Sequence, residues 1–261
     1  MTEHKFGGLW TRKKLEILEK YIAFYSQALK NTPFTLHYAD AFAGTGSHIP
    51  DETDTGQESW ISQDALEGSV KTALAVEPGF HHYHFNDLNI EHVTQLETLA
   101  RGFPSKNIHI TQLDANVFVP EFCRSLGEND RAVLFLDPYS TQLDWDTLKA
   151  IANSGKVDVW LLFPISAIIR MTPNDGERIK PEWSGTLQRL LGTNQWEQEL
   201  YKPVERPPIQ DMFSIADDSR MIRRINWQEL QNWVTGRLQE SFSYVAEPAV
   251  LKCGGKPLFS L

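Results

Sequence analysis

Four acidic residues stand at recurring places in this chain: Asp40, Asp87, Asp114 and Asp137 each fall at the end of a segment whose pattern predicts a strand. In an open α/β sheet the carboxyl ends of the strands share one edge, so carboxylates placed there line a common polar pocket. Asp40 opens the segment Asp40-Ala41-Phe42-Ala43-Gly44-Thr45-Gly46, where Gly44 and Gly46 let a ligand approach bare backbone. A plain tight turn is the other use of such a glycine pair. The dinucleotide pattern GxGxxG is absent, because Ile49 stands where its third glycine would be, and nicotinamide binding is disfavoured. Asp87 is placed to accept from ribose hydroxyls. Asp114-Ala115-Asn116 suits an adenine edge and equally suits a helix N-cap. Asp137-Pro138-Tyr139-Ser140 follows the most apolar run, and Asp-Pro commonly starts a turn. It also suits a clamp, with the carboxylate and a carbonyl accepting from an amine while Tyr139 stacks on a planar ring.

Other chemistries are poorly supported. His82 and His84 fall on one face of a strand and His81 on the other, so no three ligands converge on a metal. Cys123 and Cys253 lie far apart outside any CxxC spacing, which removes a disulfide framework and a structural zinc site and leaves two buried thiols as the expectation. No GxSxG nucleophile elbow occurs. The tryptophans at 10, 60, 183, 196, 227 and 233 read as core or interface anchors.

Elements must bring the acidic residues together. Leu15, Leu18, Ile22, Tyr25 and Leu29 form one apolar stripe on a helix over about Thr11–Lys30, ended by Pro33. Strand and helix patterns then alternate from Thr35 to Phe163, and runs such as Ala132–Leu136 are apolar throughout, as parallel strands covered on both faces require. The fold class expected is α/β, a Rossmann-like, mostly parallel sheet with helices on both faces. Residues 1–33 form an N-terminal helix and 34–163 the core. Residues 164–226, rich in proline, read as a helical insertion that contacts substrate or partner. Residues 227–261 read as a helix and an antiparallel hairpin turning at Gly254-Gly255 and completing the sheet. Residues 47–63 are polar, aperiodic and read as a loop.

With 261 residues, 41% hydrophobic and 23% charged, the chain belongs to the globular class, and disorder, collagen and coiled coil are excluded. No apolar stretch approaches the roughly 18 residues of a membrane helix, and Met1–Gly8 has no apolar signal core, so a cytoplasmic location is expected. The net charge of −9 is uneven: residues 34–100 hold 11 acidic groups against 1 basic. Basic groups gather at Arg12, Lys13, Lys14 and Lys20, and at Arg220, Arg223 and Arg224. Each cluster reads as a solvated helix face or as a local grip on a nucleic-acid strand.

The segment 40–46 resembles the DPFxGxG form of the S-adenosylmethionine motif of class I methyltransferases, and Asp137-Pro138-Tyr139 resembles their DPPY motif, with Tyr139 following a single proline. More closely, the chain resembles the three-Cys-motif partner family. The shared features are Tyr-x-Asp-x-Phe-Ala-Gly-x-Gly at 38–46, Gly68-Ser69, Asp-Ala-Asn at 114–116, Asp-Pro-Tyr at 137–139 and Val-Asp-Val at 157–159. The cysteines of that name belong to a separate partner protein. The resemblance implies a class I methyltransferase fold, with S-adenosyl-L-methionine held by Asp40, Phe42, Gly44, Gly46, Asp87, Asp114 and Ala115. It places the substrate amine at Asp137, Pro138 and Tyr139. Family members tend to continue past the last strand, so either an incomplete sheet edge at Leu261 or a C-terminally shortened sequence is expected.

Two functions follow as expectations. The first is methyl transfer to an exocyclic amine, foremost of a nucleic-acid base, single-stranded or flipped from a duplex. The second is a binding module of the same fold with little turnover, for a three-Cys-motif protein or a nucleic acid, whose acidic sector suits a basic partner. Arg220, Arg223 and Arg224 are the expected phosphate contacts if they share a helix face, and pairing with Asp217, Asp218 or Glu229 is the competing use.

Overall fold

The computed structural model describes residues 8–44, 68–203, 221–253 and 256–260. Gly46, Arg220, the stretch 47–63 and the Gly254-Gly255 turn lie outside the described residues.

Helix α1 (Gly8–Leu29) leads into β1 (Thr35–Asp40). There follow α2 (Gly68–Ala75), β2 (His82–Asn86), α3 (Ile90–Ala100), β3 (Ile108–Thr111), α4 (Ala115–Ser125), β4 (Asp130–Leu136), α5 (Trp145–Ser154) and β5 (Val157–Leu161). The strands form one sheet in the order β3-β2-β1-β4-β5, parallel at every pairing. This is the α/β class that the alternating patterns predict. Strand β4 explains why helices must cover both faces: Ala132, Leu134 and Leu136 point one way, Val133 and Phe135 the other, and all are buried. The first set packs with Phe118 and Phe122 of α4 and Leu148 and Ile151 of α5. The second meets Leu18 and Ile22 of α1 and Val70 and Leu74 of α2.

Beyond β5 lie α6 (Ile165–Met171), a short 3₁₀ turn (Gly176–Arg178), α7 (Pro181–Leu191), α8 (Trp196–Leu200), β6 (Tyr201–Pro203) and β7 (Met221–Arg223). The helical reading of 164–226 holds for its first part and is corrected at its end, where β6 and β7 pair antiparallel with Tyr201 opposite Arg223. Leu187, Leu190, Leu191 and Trp196 enter the same core as α4 and α5. Helix α9 (Trp227–Gln239) begins with a capping box between Asn226 and Glu229. The hairpin β8 (Val250–Cys253) and β9 (Lys256–Ser260) is present, but as a separate two-stranded sheet beside α6 rather than an added edge of the main sheet. Strand β8 is shorter than the run 243–252 suggests, and Pro248 supplies a reason: it has no N–H for a ladder. Among the described residues no helix is long and apolar enough to cross a membrane.

Histidines cluster on the α4 face of the sheet edge. Alternation puts His82 and His84 together as expected, and the neighbouring strands add His37 and His109. His37 and His82 stack at 4.7 Å, His84 and His109 at 4.8 Å, and His37 Nδ1 and His84 Nε2 share a hydrogen bond of 3.1 Å. His81 faces away, its Nδ1 accepting from the Leu36 N–H. Burial lowers the affinity of His37, His82 and His84 for a proton, His109 adds to this at His82 and His84, and Asp130 opposes it at His37. His84 falls to about 3. The unfolded chain, with ordinary imidazoles near 6.5, therefore binds more protons than the fold below that pH. Stability is complete above it and is lost as the pH falls from there towards the lowered folded values. Urea midpoints measured from about pH 7 to about pH 5 are expected to fall, and less steeply in His84→Asn. A flat profile would mean that these rings charge freely within the fold.

Candidate functional site

The sheet changes direction between β1 and β4, and open α/β sheets hold ligands in the crevice beyond the strand ends at such a switch point. Asp40 ends β1 and Asp137 directly follows β4, so the two carboxyls meet there and sense one another's charge. Asp87 follows β2 along the same edge.

Asp40 is completely buried. Its Oδ1 accepts from the Phe42 N–H at 3.1 Å, and its Oδ2 has no hydrogen-bond partner among the described residues. Burial pushes this carboxyl up to about 7, the Asp137 charge adds to the rise, and the Ser69 side chain, the Phe42 N–H and Lys14 oppose it. A carboxyl raised in this way is suited to taking up a proton at the site.

Gly44 adopts φ 65°, the left-handed region where any other L residue is strained by about 1–2 kcal/mol. Its N–H donates to Asp87 Oδ2 at 2.9 Å. Asp87 Oδ1 accepts from the Asn89 N–H at 2.8 Å and lies 3.0 Å from His92 Nδ1. The carboxylate thus pins the glycine turn to the end of β2, leaving about one of its roughly four acceptor positions for a ribose hydroxyl.

Asn86, one residue earlier, was not singled out by the sequence. Its side chain is fully buried and uses its whole bonding capacity. Nδ2 donates to the carbonyls of Ala41 (3.1 Å) and Leu113 (2.9 Å), and Oδ1 accepts from the Thr111 hydroxyl (2.8 Å) and the Leu113 N–H (3.0 Å). One amide therefore ties the ends of β1, β2 and β3. A polar residue in line with Phe85 at a strand end was the available signal.

Of the two uses left open for Asp114, the cap is observed: its carboxylate accepts from the Asn116 N–H at 2.7 Å at the start of α4. Ala115 is buried in the core. Asn116 braces the loop beyond Asp137, donating to the Gln142 carbonyl (2.8 Å) and accepting from the Asp144 N–H (2.9 Å) and the Thr147 hydroxyl (2.8 Å).

Asp137 Oδ2 is ion-paired with Lys14 Nζ, which α1 delivers from far along the chain. The Lys14 side chain is 7% exposed and its ammonium lies 5.7 Å from the centre of the Phe135 ring. This corrects the placing of Lys14 on a solvated or nucleic-acid-facing surface, where its neighbours Lys13 and Lys20 do lie. Beside the pair, Pro138 leads to Tyr139, 59% exposed, and to Ser140 at φ 59°. The turn and the outward aromatic ring coexist.

The arginines are also corrected. Arg223 lies on strand β7, not a helix, and its guanidinium is directed inward. Nη1 donates to the carbonyls of Thr172 (2.7 Å) and Ile169 (3.3 Å), and Nη2 to Asn174 Oδ1 (3.0 Å), so the cation closes the carboxyl end of α6. Arg224 Nε donates to the Glu199 carbonyl at 2.8 Å. The anchoring partners are these, rather than Glu229, which caps α9. Arg223→Gln is expected to cost about 1–2 kcal/mol, read as a lower melting temperature. An unchanged melt with weakened nucleic-acid binding would return Arg223 to a phosphate role.

No protein-family model matches the chain, and no curated protein matches it by sequence. Among solved structures it is similar to a Legionella pneumophila protein at 14% identity and a TM-score of 0.43, covering 69% of this chain and 72% of that one. A candidate methyltransferase from Thermobifida fusca follows at 11% identity and 0.36, covering 84% and 81%. A candidate RNA methyltransferase from Pyrococcus horikoshii follows at 14% and 0.28, covering 80% and 84%. These likenesses concern the layout of sheet and helices, and the fold assignment itself stands on the strand order and pairing.

Proposed function

We propose that the protein binds S-adenosyl-L-methionine along the β1–β4 edge and transfers its methyl group to an amine, foremost an exocyclic amine of a nucleic-acid base. The observation that carries the reading is Asp137 at the switch point: its carboxylate already grips an ammonium, that of Lys14, beside the buried Asp40 and the glycine turn. The residues fit the cofactor in two respects. Gly44 offers bare backbone in a left-handed turn, and Asp40 Oδ2 is a buried acceptor without a partner among the described residues. Asp40, Phe42, Gly44 and Asp87 would hold it, with Gly46, Asp114 and Ala115 completing the motif set.

When bound, the cofactor supplies a sulfonium methyl group, already a strong electrophile. The chain's own part is alignment. Asp137 accepts from the incoming amine and points its lone pair, Tyr139 packs on the attached ring, and Asp40 receives the proton that the amine must shed. A base in a duplex would be flipped out to reach this edge, at a smaller cost from a single strand. Calorimetry with S-adenosylmethionine and S-adenosylhomocysteine tests the reading, and no heat at millimolar ligand would sink it.

One observation favours the second reading, a weakly active binding module for a three-Cys-motif protein or a nucleic acid. Lys14 engages the carboxylate that a foreign amine would need. Radiolabel passing to mixed RNA, DNA or partner protein from wild type, and lost in Asp137→Asn while cofactor binding persists, would exclude a purely binding role.

A further inference from the structure

Lys14 stands at a position where packing alone would not choose lysine. Together with Leu18, Ile22 and Tyr25 it follows the four- and three-residue steps of the buried stripe of α1, and it is 6% exposed, while Lys13 and Lys20 on the same helix are in solvent. An apolar residue of similar volume there would avoid the desolvation of an ammonium, since buried ion pairs seldom outperform a well-packed apolar replacement. The stripe therefore carries an amine into the site, where it pairs with Oδ2 of Asp137, over the face of Phe135 and within electrostatic reach of Asp40.

Resting on the methyl-transfer reading above, we propose that Lys14 is a methyl acceptor of this protein: the chain modifies its own Nζ, held by Asp137 in the place of a substrate amine. The ammonium first gives one proton, through the Asp137 carboxylate that holds it, to the Asp137–Asp40 carboxyl pair, leaving a neutral amine with a free electron pair. That pair forms the new C–N bond to the sulfonium methyl group as the C–S bond breaks, and its electrons remain on sulfur as the neutral thioether S-adenosylhomocysteine. The product is a methylated ammonium that keeps its charge and its partner Asp137, and the carboxyl pair passes the proton to solvent through the partly exposed Asp137. The acceptor travels with the helix, so the reaction is intramolecular.

The experiment incubates the full chain with S-adenosylmethionine, follows cofactor binding by calorimetry, and maps added methyl groups by peptide mass spectrometry. Methyl on Lys14 and not on Lys13 or Lys20, formed at a first-order rate independent of protein concentration and absent from Lys14→Arg, is the expected result. Heat of cofactor binding with Lys14 unmodified would overturn the inference and leave methyl transfer to other acceptors standing. No heat at all would overturn both. Label spread over the exposed lysines, or a rate rising with protein concentration, would also overturn it, because neither comes from an amine held in its own site.

Discussion

Asn86→Leu is expected to lower the free energy of unfolding by about 3–5 kcal/mol, the largest loss from a single side chain at this edge. Leucine keeps the branched skeleton and leaves no cavity, so the loss reports the stranded hydrogen-bonding groups together with the crowding of its larger methyl groups. The substitution strands the carbonyls of Ala41 and Leu113, the Leu113 N–H and the Thr111 hydroxyl in a fully buried place. Each unsatisfied group costs about 1–3 kcal/mol, and relaxation recovers part of the sum. The functional consequence follows from the same geometry. The backbone of Asn86 also accepts from the Ala43 N–H at 2.9 Å, so the amide and its main chain together hold the segment leading to Gly44. Cofactor binding is expected to weaken even where the variant remains folded. Urea unfolding with a loss under about 1 kcal/mol would show that the three strand ends are fixed by their ladders and not by this amide.

The strand-end acids were legible because two periods coincide. A parallel strand buried on both faces must be apolar throughout, so the first acidic residue after such a run marks the point where the chain reaches the polar edge. Asp137 obeys this after Ala132–Leu136, Asp40 and Asp87 close strands that carry histidines among their apolar residues, and the sheet order sets Asp40 and Asp137 side by side. What local sequence did not reveal is how each carboxylate is used. Asp87 reads as a ribose acceptor, yet most of its bonding capacity goes to the Gly44 and Asn89 N–H groups and His92, because a left-handed glycine turn needs an anchor. Asp114 is equally ambiguous by type, and its place one residue before α4 puts its Oδ1 to use as the cap.

The misplaced residues share a different cause. Arg223 and Arg224 stand three and four residues after Arg220 and so suit a helix face in sequence, but Met221, Arg223 and Ile225 instead alternate as on a strand, and Arg223 turns to the α6 carbonyls. Hydrophobic alternation over so few residues does not separate the two periods. Lys14 was hidden more deeply. Its stripe position was readable, but its partner lies across the sheet at a sequence distance no local pattern spans. A lysine on an apolar stripe was the signal, and its weight comes from the rarity of buried, unpaired ammonium groups.

That pair sets the second large effect. Asp137→Ala removes the carboxylate paired with a Lys14 side chain that is 7% exposed, whereas Lys14→Met leaves a carboxylate that is 29% exposed and reachable by water. Breaking a buried pair from one side costs about 3–5 kcal/mol, and partial hydration of this one reduces the expected loss for Asp137→Ala to about 2–3 kcal/mol. The loss for Lys14→Met is smaller. The double variant is expected to recover most of the deficit, because no uncompensated charge remains and methionine packs well on the stripe of α1. Asp40 supplies an independent reading of the same cycle. Removing the Asp137 charge withdraws one cause of its raised value, so its titration moves down from about 7 in Asp137→Ala. Removing Lys14 withdraws an opposing cause, so it moves up in Lys14→Met. Carboxyl NMR following Asp40 in both variants, beside urea unfolding, measures the two effects separately. Equal losses for the single variants, no recovery in the double and an unmoved Asp40 would mean that the ion pair is a hydrated surface contact, and the amine site at the end of β4 would lose its physical basis.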